Sequence, residues 1–224
     1  TRRLDKWTKA SKGGDKEAAF HRQVAARMVE ILSEGHPLRS AEWTEEERRS
    51  LRDAQPITIK PVLYVCNVAE GGLDDDNAMV RAVQERAAKE GAGSVVISAQ
   101  VEAELSELEP SERNEFLADL GLKEPGLHRL ARATYQLLGL QTYFTAGPKE
   151  IRAWTIHAGT RAPQAAGVIH SDFERGFIRA EVYTIPDLQA AGSEAGLRSA
   201  GKLRLEGKEY VVQDGDVMHF RFNV

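Results

Sequence analysis

Apolar positions recur at two different periods along this chain, and the change of period divides it into three stretches. In the first, Phe20, Val24, Met28, Ile31 and Leu32 fall on one side of a helix, with Arg22, Arg27 and Glu30 off it. Asp15, after the Lys12-Gly13-Gly14 break, is placed to cap that helix, and Gly35-His36-Pro37 to end it. Thr44-Glu45-Glu46-Glu47 fits a capping box and opens a further helix. The second stretch alternates strand and helix. Pro61 to Asn67 is almost wholly apolar, the pattern of a strand buried on both faces of a parallel sheet. A polar loop from Gly71 to Asp76 leads to a helix through Met79, Val80, Val83 and Ala87, and Val95 to Ser98 makes a second strand. Strand, helix and parallel strand predict a right-handed unit. Helices are expected around Phe116 to Leu120 and Leu127 to Leu138. In the third stretch, strands are expected at Thr142–Thr145, Arg152–His157, Phe177–Val182, Tyr210–Val212 and Met218–Phe222, with turns at Gly207-Lys208 and Asp214-Gly215-Asp216.

These patterns predict an α/β chain in three pieces: a helical hairpin over 1–52, part of a parallel βαβ sheet over 53–139, and a strand-rich domain over 140–224. The strand at 62–66 wants a neighbour on each edge, and the sequence offers only the one at 95–98. Another chain, or a part of the protein outside these residues, is expected to supply the rest. The opening Thr-Arg-Arg-Leu-Asp-Lys-Trp, which reads as mid-helix, gives the same expectation.

Charge changes this picture in one respect. The formal net charge is −4, but residues 1–52 hold 12 Lys/Arg against 9 Asp/Glu, and residues 53–139 hold 8 against 15. A polyanion would therefore favour the first piece, where Arg2, Arg3, Lys6, Lys9, Lys12 and Lys16 cluster, although a solvated helix face explains the same run. Cys66 is the single cysteine, so neither an intrachain disulfide nor a thiolate metal cluster can form. Its place in an apolar strand favours an inert thiol. No apolar run approaches the ~20 residues of a membrane span, and a reducing cytoplasm is the expected setting.

Chemistry-bearing residues gather at two strand ends. The first strand ends in Asn67-Val68-Ala69-Glu70 and the second in Ser98-Ala99-Gln100. In P-loop GTPases these two loops hold the base. The usual first loop is Asn-Lys-x-Asp, whose Asp accepts from guanine. Here Glu70 stands in the Asp position and Val68 in the Lys position, which weakens guanine selectivity. Adenine needs a donor to N1 and an acceptor for its amino group, and a backbone N–H near Val68 with the Asn67 amide would supply them. The plainer reading is that Asn67 and Glu70 end a strand and cap a loop. Gly196 to Leu203 imitates a phosphate loop, but Leu203 replaces the magnesium-binding hydroxyl and no buried strand precedes it. Asp74-Asp75-Asp76 lacks the Gly and Glu of a calcium loop. His36 has no second ligand nearby, and His157, His170 and His219, which could converge, are not at metal-ligand spacing. His170 with Asp172, and Arg175 with Arg179, could instead meet RNA or protein on one exposed face.

Longer matches lie towards the C-terminus. Leu138 to Gly147, Arg152 to Thr155, Ala162 to His170, Asp172 to Val182 and Val211 to Val224 closely resemble the C-terminal TGS domain of the YchF/Obg-like ATPases. The resemblance runs back through Ser111 to Gly126, the Asn67 loop and the Gly13-Gly14-Asp15 turn. It implies a β-grasp fold for the last domain and a cytoplasmic ATPase that accepts ATP over GTP, needs Mg²⁺ and associates with the ribosome. It further implies that Asn67, Val68, Glu70, Ser98, Ala99 and Gln100 face the base, while phosphate loop, magnesium ligands and catalytic residues precede the helical insert and are absent here. The alternative is an autonomous module that binds RNA, ribosome or protein through the TGS domain and basic hairpin, without catalysis, membrane or disulfide partner.

Overall fold

The computed structural model describes residues 1–73, 77–147 and 150–223, and it divides into two compact units, Thr1–Leu130 and Ala131–Val224. The Asp74-Asp75-Asp76 run lies outside the described residues. The fold is mixed α/β, as expected.

The first unit opens with helices α1 (Arg2–Ala10), α2 (Lys16–Ser33) and α3 (Glu45–Ala54). Asp15 caps α2 by accepting from the N–H groups of Glu17 and Ala18, at 2.9 and 3.2 Å. Thr44 and Glu47 form the expected capping box on α3, with bonds of 3.2 and 2.8 Å. These side chains satisfy amides that have no intrahelical acceptor. Phe20, Val24, Met28 and Ile31 of the α2 stripe pack around Leu38, Trp43 and Leu51, whereas Leu32, expected in the same stripe, is exposed at the end of the helix. Trp43 donates from Nε1 to the Leu38 carbonyl at 2.7 Å, so burying its indole strands no polar group.

Strands β1 (Leu63–Asn67) and β2 (Gly93–Ile97) follow, joined through helix α4 (Ala78–Glu90), and pair in parallel from Leu63↔Gly93 to Asn67↔Ile97. Among the described residues the sheet has these two strands only. The expectation of burial on both faces fails: Val65 is 44% exposed and Asn67 is exposed. Cys66, expected inside a buried strand, is half-buried. Helix α4 packs against both strands, and the start of α7 meets β2, where a Cβ on Gly126 would lie 3.0 Å from Ile97 Cγ2. On β2, Val95 and Ile97 are buried, so the exposure is confined to β1. Glu90, at the end of α4, ties β1 to that helix. Its carboxylate accepts from Tyr64 Oη at 2.8 Å, Arg39 Nη2 at 3.1 Å and Arg86 Nε at 2.6 Å. The Tyr64 hydrogen bond first, and then the two guanidinium groups, hold its pKa below the ordinary value.

Helices α5 (Ala99–Glu107), α6 (Pro110–Asp119) and α7 (Gly126–Leu137) complete this region, and the division between units falls within α7. The first of these was not anticipated. Val101 and Leu105 of α5 pack on Leu117 of α6 in a small core of their own.

The second unit is a five-stranded sheet ordered β4-β3-β7-β5-β6, from strands β3 (Leu140–Ala146), β4 (Ile151–His157), β5 (Phe177–Thr184), β6 (Arg204–Glu206) and β7 (Asp216–Phe222). The two hairpin-like pairs flank β7, which runs parallel to β3 and antiparallel to β5, the β-grasp arrangement. Helix α8 (Ala162–Ile169) packs its alanines on one face, against Tyr143, Ala180, Val182 and Met218, followed by α9 (Ser171–Arg175). Helices α10 (Ile185–Ala191) and α11 (Glu194–Ser199) cover part of the other face, over Tyr183 and Val217.

Sequence patterning missed these four short helices and β6, and it placed a strand at Tyr210–Val212 where a single bridge, Arg161↔Val211, exists. That segment is instead fixed by Asp216. Its buried carboxylate accepts from Tyr210 Oη at 2.7 Å, the Gln213 N–H at 2.8 Å and Arg204 Nη2 at 3.2 Å. Burial foremost, then the adjoining carboxylate, pushes the Tyr210 phenol up to about 12.

Candidate functional site

Parallel pairing brings the C-terminal ends of β1 and β2 side by side, so the two loops identified in the sequence meet. Asn67 joins them. Its Oδ1 accepts from the Ala99 N–H at 3.0 Å, across 32 residues of sequence. The neighbouring Val68 N–H donates to the Ile97 carbonyl at 2.9 Å. Ser98 is buried and caps α5, its Oγ 3.5 Å from the Val101 nitrogen. Gln100 leans along α5 to Glu104, at 3.1 Å. Ala69, Glu70, Ala99 and Gln100 are exposed around the junction.

This geometry corrects the hydrogen bonding expected for adenine. The Val68 N–H and the Asn67 side-chain oxygen are both engaged within the protein, so neither is free for a base. What the loop presents is the Asn67 Nδ2 amide, the N–H groups of Ala69 and Glu70, which have no protein acceptor among the described residues, and the Glu70 carboxylate. Donors and one carboxylate acceptor at a solvent-open strand end suit the edge of a purine.

Sequence reasoning missed the residues that hold these loops. A Cβ on Gly72 would sit 3.1 Å from Asn77 Nδ2 and 3.3 Å from Val68 Cβ, so the loop closes tightly there. Asn77 caps α4, accepting from Met79 and Val80 N–H groups at 3.0 and 3.3 Å. Glu102 of α5 accepts from the Gly126 and Leu127 N–H groups at 2.6 and 3.2 Å, anchoring the start of α7. The Gly71-Gly72 pair followed by Asn77 was the readable sign; Glu102 carried none, because its acceptor role depends on tertiary placement.

The remaining candidates separate. Gly196 to Lys202 forms α11 and its closing turn, with Lys202 Nζ paired to Asp187 at 3.3 Å, so no nest of amides exists there. His170 accepts from the Asp172 N–H, while His219 faces Glu194 at 3.2 Å. The described residues hold no cluster of metal-ligating groups, and the three histidines do not converge. Arg175 is tied to Asp172 within α9, while Arg179 shares a sheet face with Glu181, so those two arginines do not share one face. A pocket walled by Arg48, Leu51, Gln55, Pro56 and Ile59 includes none of the base-loop residues. No helix among the described residues is long and apolar enough to cross a membrane.

Comparison with known proteins agrees along the whole chain. Residues 140–223 match the family YchF-GTPase_C, described as a protein of unknown function (DUF933). The chain is 50% identical over 225 residues to the ribosome-binding ATPase YchF of Bacillus subtilis, covering 100% of this chain and 62% of that protein. Against Obg-like ATPase 1 of Rattus norvegicus it is 37% identical over 226 residues, covering 98% and 57%. The solved structure of the Schizosaccharomyces pombe YchF GTPase superposes with a TM-score of 0.83 at 30% identity, covering 98% of this chain and 60% of that one. The chain therefore spans about three-fifths of the length of these relatives.

Proposed function

The chain belongs to the YchF family, and on that premise we propose that it supplies the base-recognition loops and ribosome-facing surfaces of a cytoplasmic, ribosome-associated protein that binds and hydrolyses ATP. In this reading residues 1–52 are part of the helical insert, 53–139 are the C-terminal half of the nucleotide domain, and 140–224 are a TGS domain. The observation that carries it is the 3.0 Å bond from the Ala99 N–H to Asn67 Oδ1, which locks two sequence-distant loops together at the carboxyl end of a parallel strand pair. Asn67, Val68 and Glu70 on one loop and Ser98, Ala99 and Gln100 on the other surround the base. Asn67 has two roles, joining the loops through its oxygen and donating to the purine through its nitrogen.

Relatives are named as ATPases in sequence and as a GTPase in structure, so base choice is the informative property. Glu70 is one methylene longer than the aspartate that accepts from guanine, and Val68 lacks the lysine stem. Both changes favour ATP, with GTP weaker. The triphosphate and Mg²⁺ would be held by residues outside this chain, since Gly196–Lys202 is helix and turn. Ribosome or RNA contact falls to the TGS domain and to the basic hairpin, where Lys6, Lys9, Lys12 and Lys16 are exposed. In the second reading, a binding module without catalysis, the support is the second unit's own closed core.

The test is made in the full-length protein. Val68→Lys combined with Glu70→Asp rebuilds Asn-Lys-x-Asp and should shift the ratio of ATP to GTP dissociation constants toward GTP by about tenfold, the effect of one buried hydrogen-bond mismatch. An unchanged ratio, with both nucleotides still bound, would show that these loops do not set base choice.

A further inference from the structure

On the sheet face that α10 and α11 cover in part, the stretch from α11 to the bulged end of β5 carries three exposed arginines, two on strands and one on α11. Arg179 and Arg221 are directly opposite each other in the antiparallel pairing of β5 and β7, so their side chains leave the same face as neighbours. Like charges in that register are destabilising. Glu181, two residues along β5, is only 7% exposed and lies between two guanidinium groups. Its Oε2 is 3.0 Å from Arg198 Nη2 of α11, and its Oε1 is 3.4 Å from Arg221 Nη2. One carboxylate thus holds two forks side by side while their outer edges, 58% exposed, remain open to solvent. Arg179 has no hydrogen-bond or ion-pair partner among the described residues. The strand register shifts between Phe177 and Arg179, a bulge of the kind that re-aims side chains.

Three guanidinium groups here outnumber the two carboxylates, Glu181 and Glu194; Glu194 lies 3.2 Å from His219 and 3.3 Å from Tyr183 Oη, and Glu206 pairs with Arg204. Leu205, opposite Glu181 on β6, is 62% exposed and adds an apolar surface beside the cations. Guanidinium forks match phosphate oxygens in geometry as well as charge. A row of them next to an apolar patch suits a sugar–phosphate chain better than a single small anion, which would need an enclosing pocket.

We propose that Arg179, Arg198 and Arg221, held in place by the buried Glu181, form a binding surface for the phosphate backbone of RNA. The proposal rests on the reading that the second unit contacts RNA, and it names the surface and the chemical group recognised. Contacts of this kind position a nucleic acid without reading its sequence.

Fluorescence anisotropy with a labelled oligouridylate, over a range of salt concentrations, tests it on the whole chain. Arg179→Ala touches no internal contact, so it should leave the fold intact. It should weaken binding roughly three- to tenfold and reduce the slope of log affinity against log salt by about 0.7, the value for one phosphate contact on a single strand. Arg179→Ala with Arg221→Ala should lose about twice that slope, with circular dichroism confirming the fold. Lys208→Ala, which removes an exposed cation elsewhere in the unit, should change neither quantity. Wild-type slopes in both arginine variants, or an equal loss in Lys208→Ala, would overturn the surface while leaving RNA contact standing. Absence of binding by the wild-type chain would overturn the RNA reading itself. Inorganic polyphosphate that binds as tightly as RNA, with the same dependence on Arg179, would show a generic polyanion site and overturn RNA as the occupant.

Discussion

The two sheets of this chain are completed in different ways. In the second unit β7 has strands on both edges and helices over both faces, and Met218 and Val217 at its centre are buried. In the first unit, among the described residues, β1 has β2 on one edge and no strand on the other, and Val65 is 44% exposed while its partner Val95 on β2 is buried. The sequences of the two strands do not explain this, since Leu63-Tyr64-Val65-Cys66 is the more apolar. What differs is how many neighbours the chain supplies. The β1–β2 pair is held by α4 from one side and by the Glu90 network at its edge, so polar contacts take a share of the work that layers of apolar side chains do in the second unit.

Hydrogen exchange should show the difference most strongly. The amides of Leu63, Tyr64 and Val65 should exchange faster than those of Ala180, Glu181 and Val182, by roughly a hundredfold or more, because opening a two-stranded sheet exposes little apolar surface. Equal, strong protection in a dilute monomer would remove the contrast. Core truncation gives a smaller effect in the same direction. Met218→Ala, at a fully buried position, should cost about 2–5 kcal/mol in denaturant unfolding, while Val65→Ala should stay within ~0.5 kcal/mol.

The third and smallest effect concerns Glu90. Its folded pKa lies below the ordinary glutamate value, so its contribution is present above that ordinary value and lost as pH falls through the lower folded pKa. As pH falls below the ordinary carboxylate range, protection of Tyr64 and of the Leu38–Ser40 turn should fall before that of β5. Glu90→Gln should remove that pH dependence, because no carboxylate remains to titrate. A Glu90→Gln protein with the wild-type pH profile would mean that other groups carry the acid sensitivity of the first unit.

Much of this contrast was legible in the sequence, and the parts that were not share a cause. Caps at Asp15 and Thr44, the paired strands ending at Asn67 and Ile97, and the shortage of partners for β1 follow from local pattern. The short helices α8 to α11 have too few turns for periodicity to register, and Ala162 to Ile169 reads as an apolar run without a polar face. The site was legible as residue types at two strand ends. Its hydrogen bonding was not, because Asn67 Oδ1 and the Val68 N–H are claimed by partners some 30 residues away in sequence. Only tertiary pairing decides which donors remain free.

The position of β7 has a consequence for synthesis. In the sheet order β4-β3-β7-β5-β6 it alone joins the two halves, yet it is the last of the five to be translated. A nascent chain that has emerged as far as Glu206 carries β3–β4 and β5–β6 as two unjoined ribbons, each with an open inner edge. The domain therefore cannot close progressively as it leaves the ribosome; it must wait for Asp216 to Phe222 and then assemble in one step. Translational pausing before that segment would prolong the exposure of Tyr143 and Val182. Truncated products should accordingly be recognised by chaperones and proteases as open-edged chains.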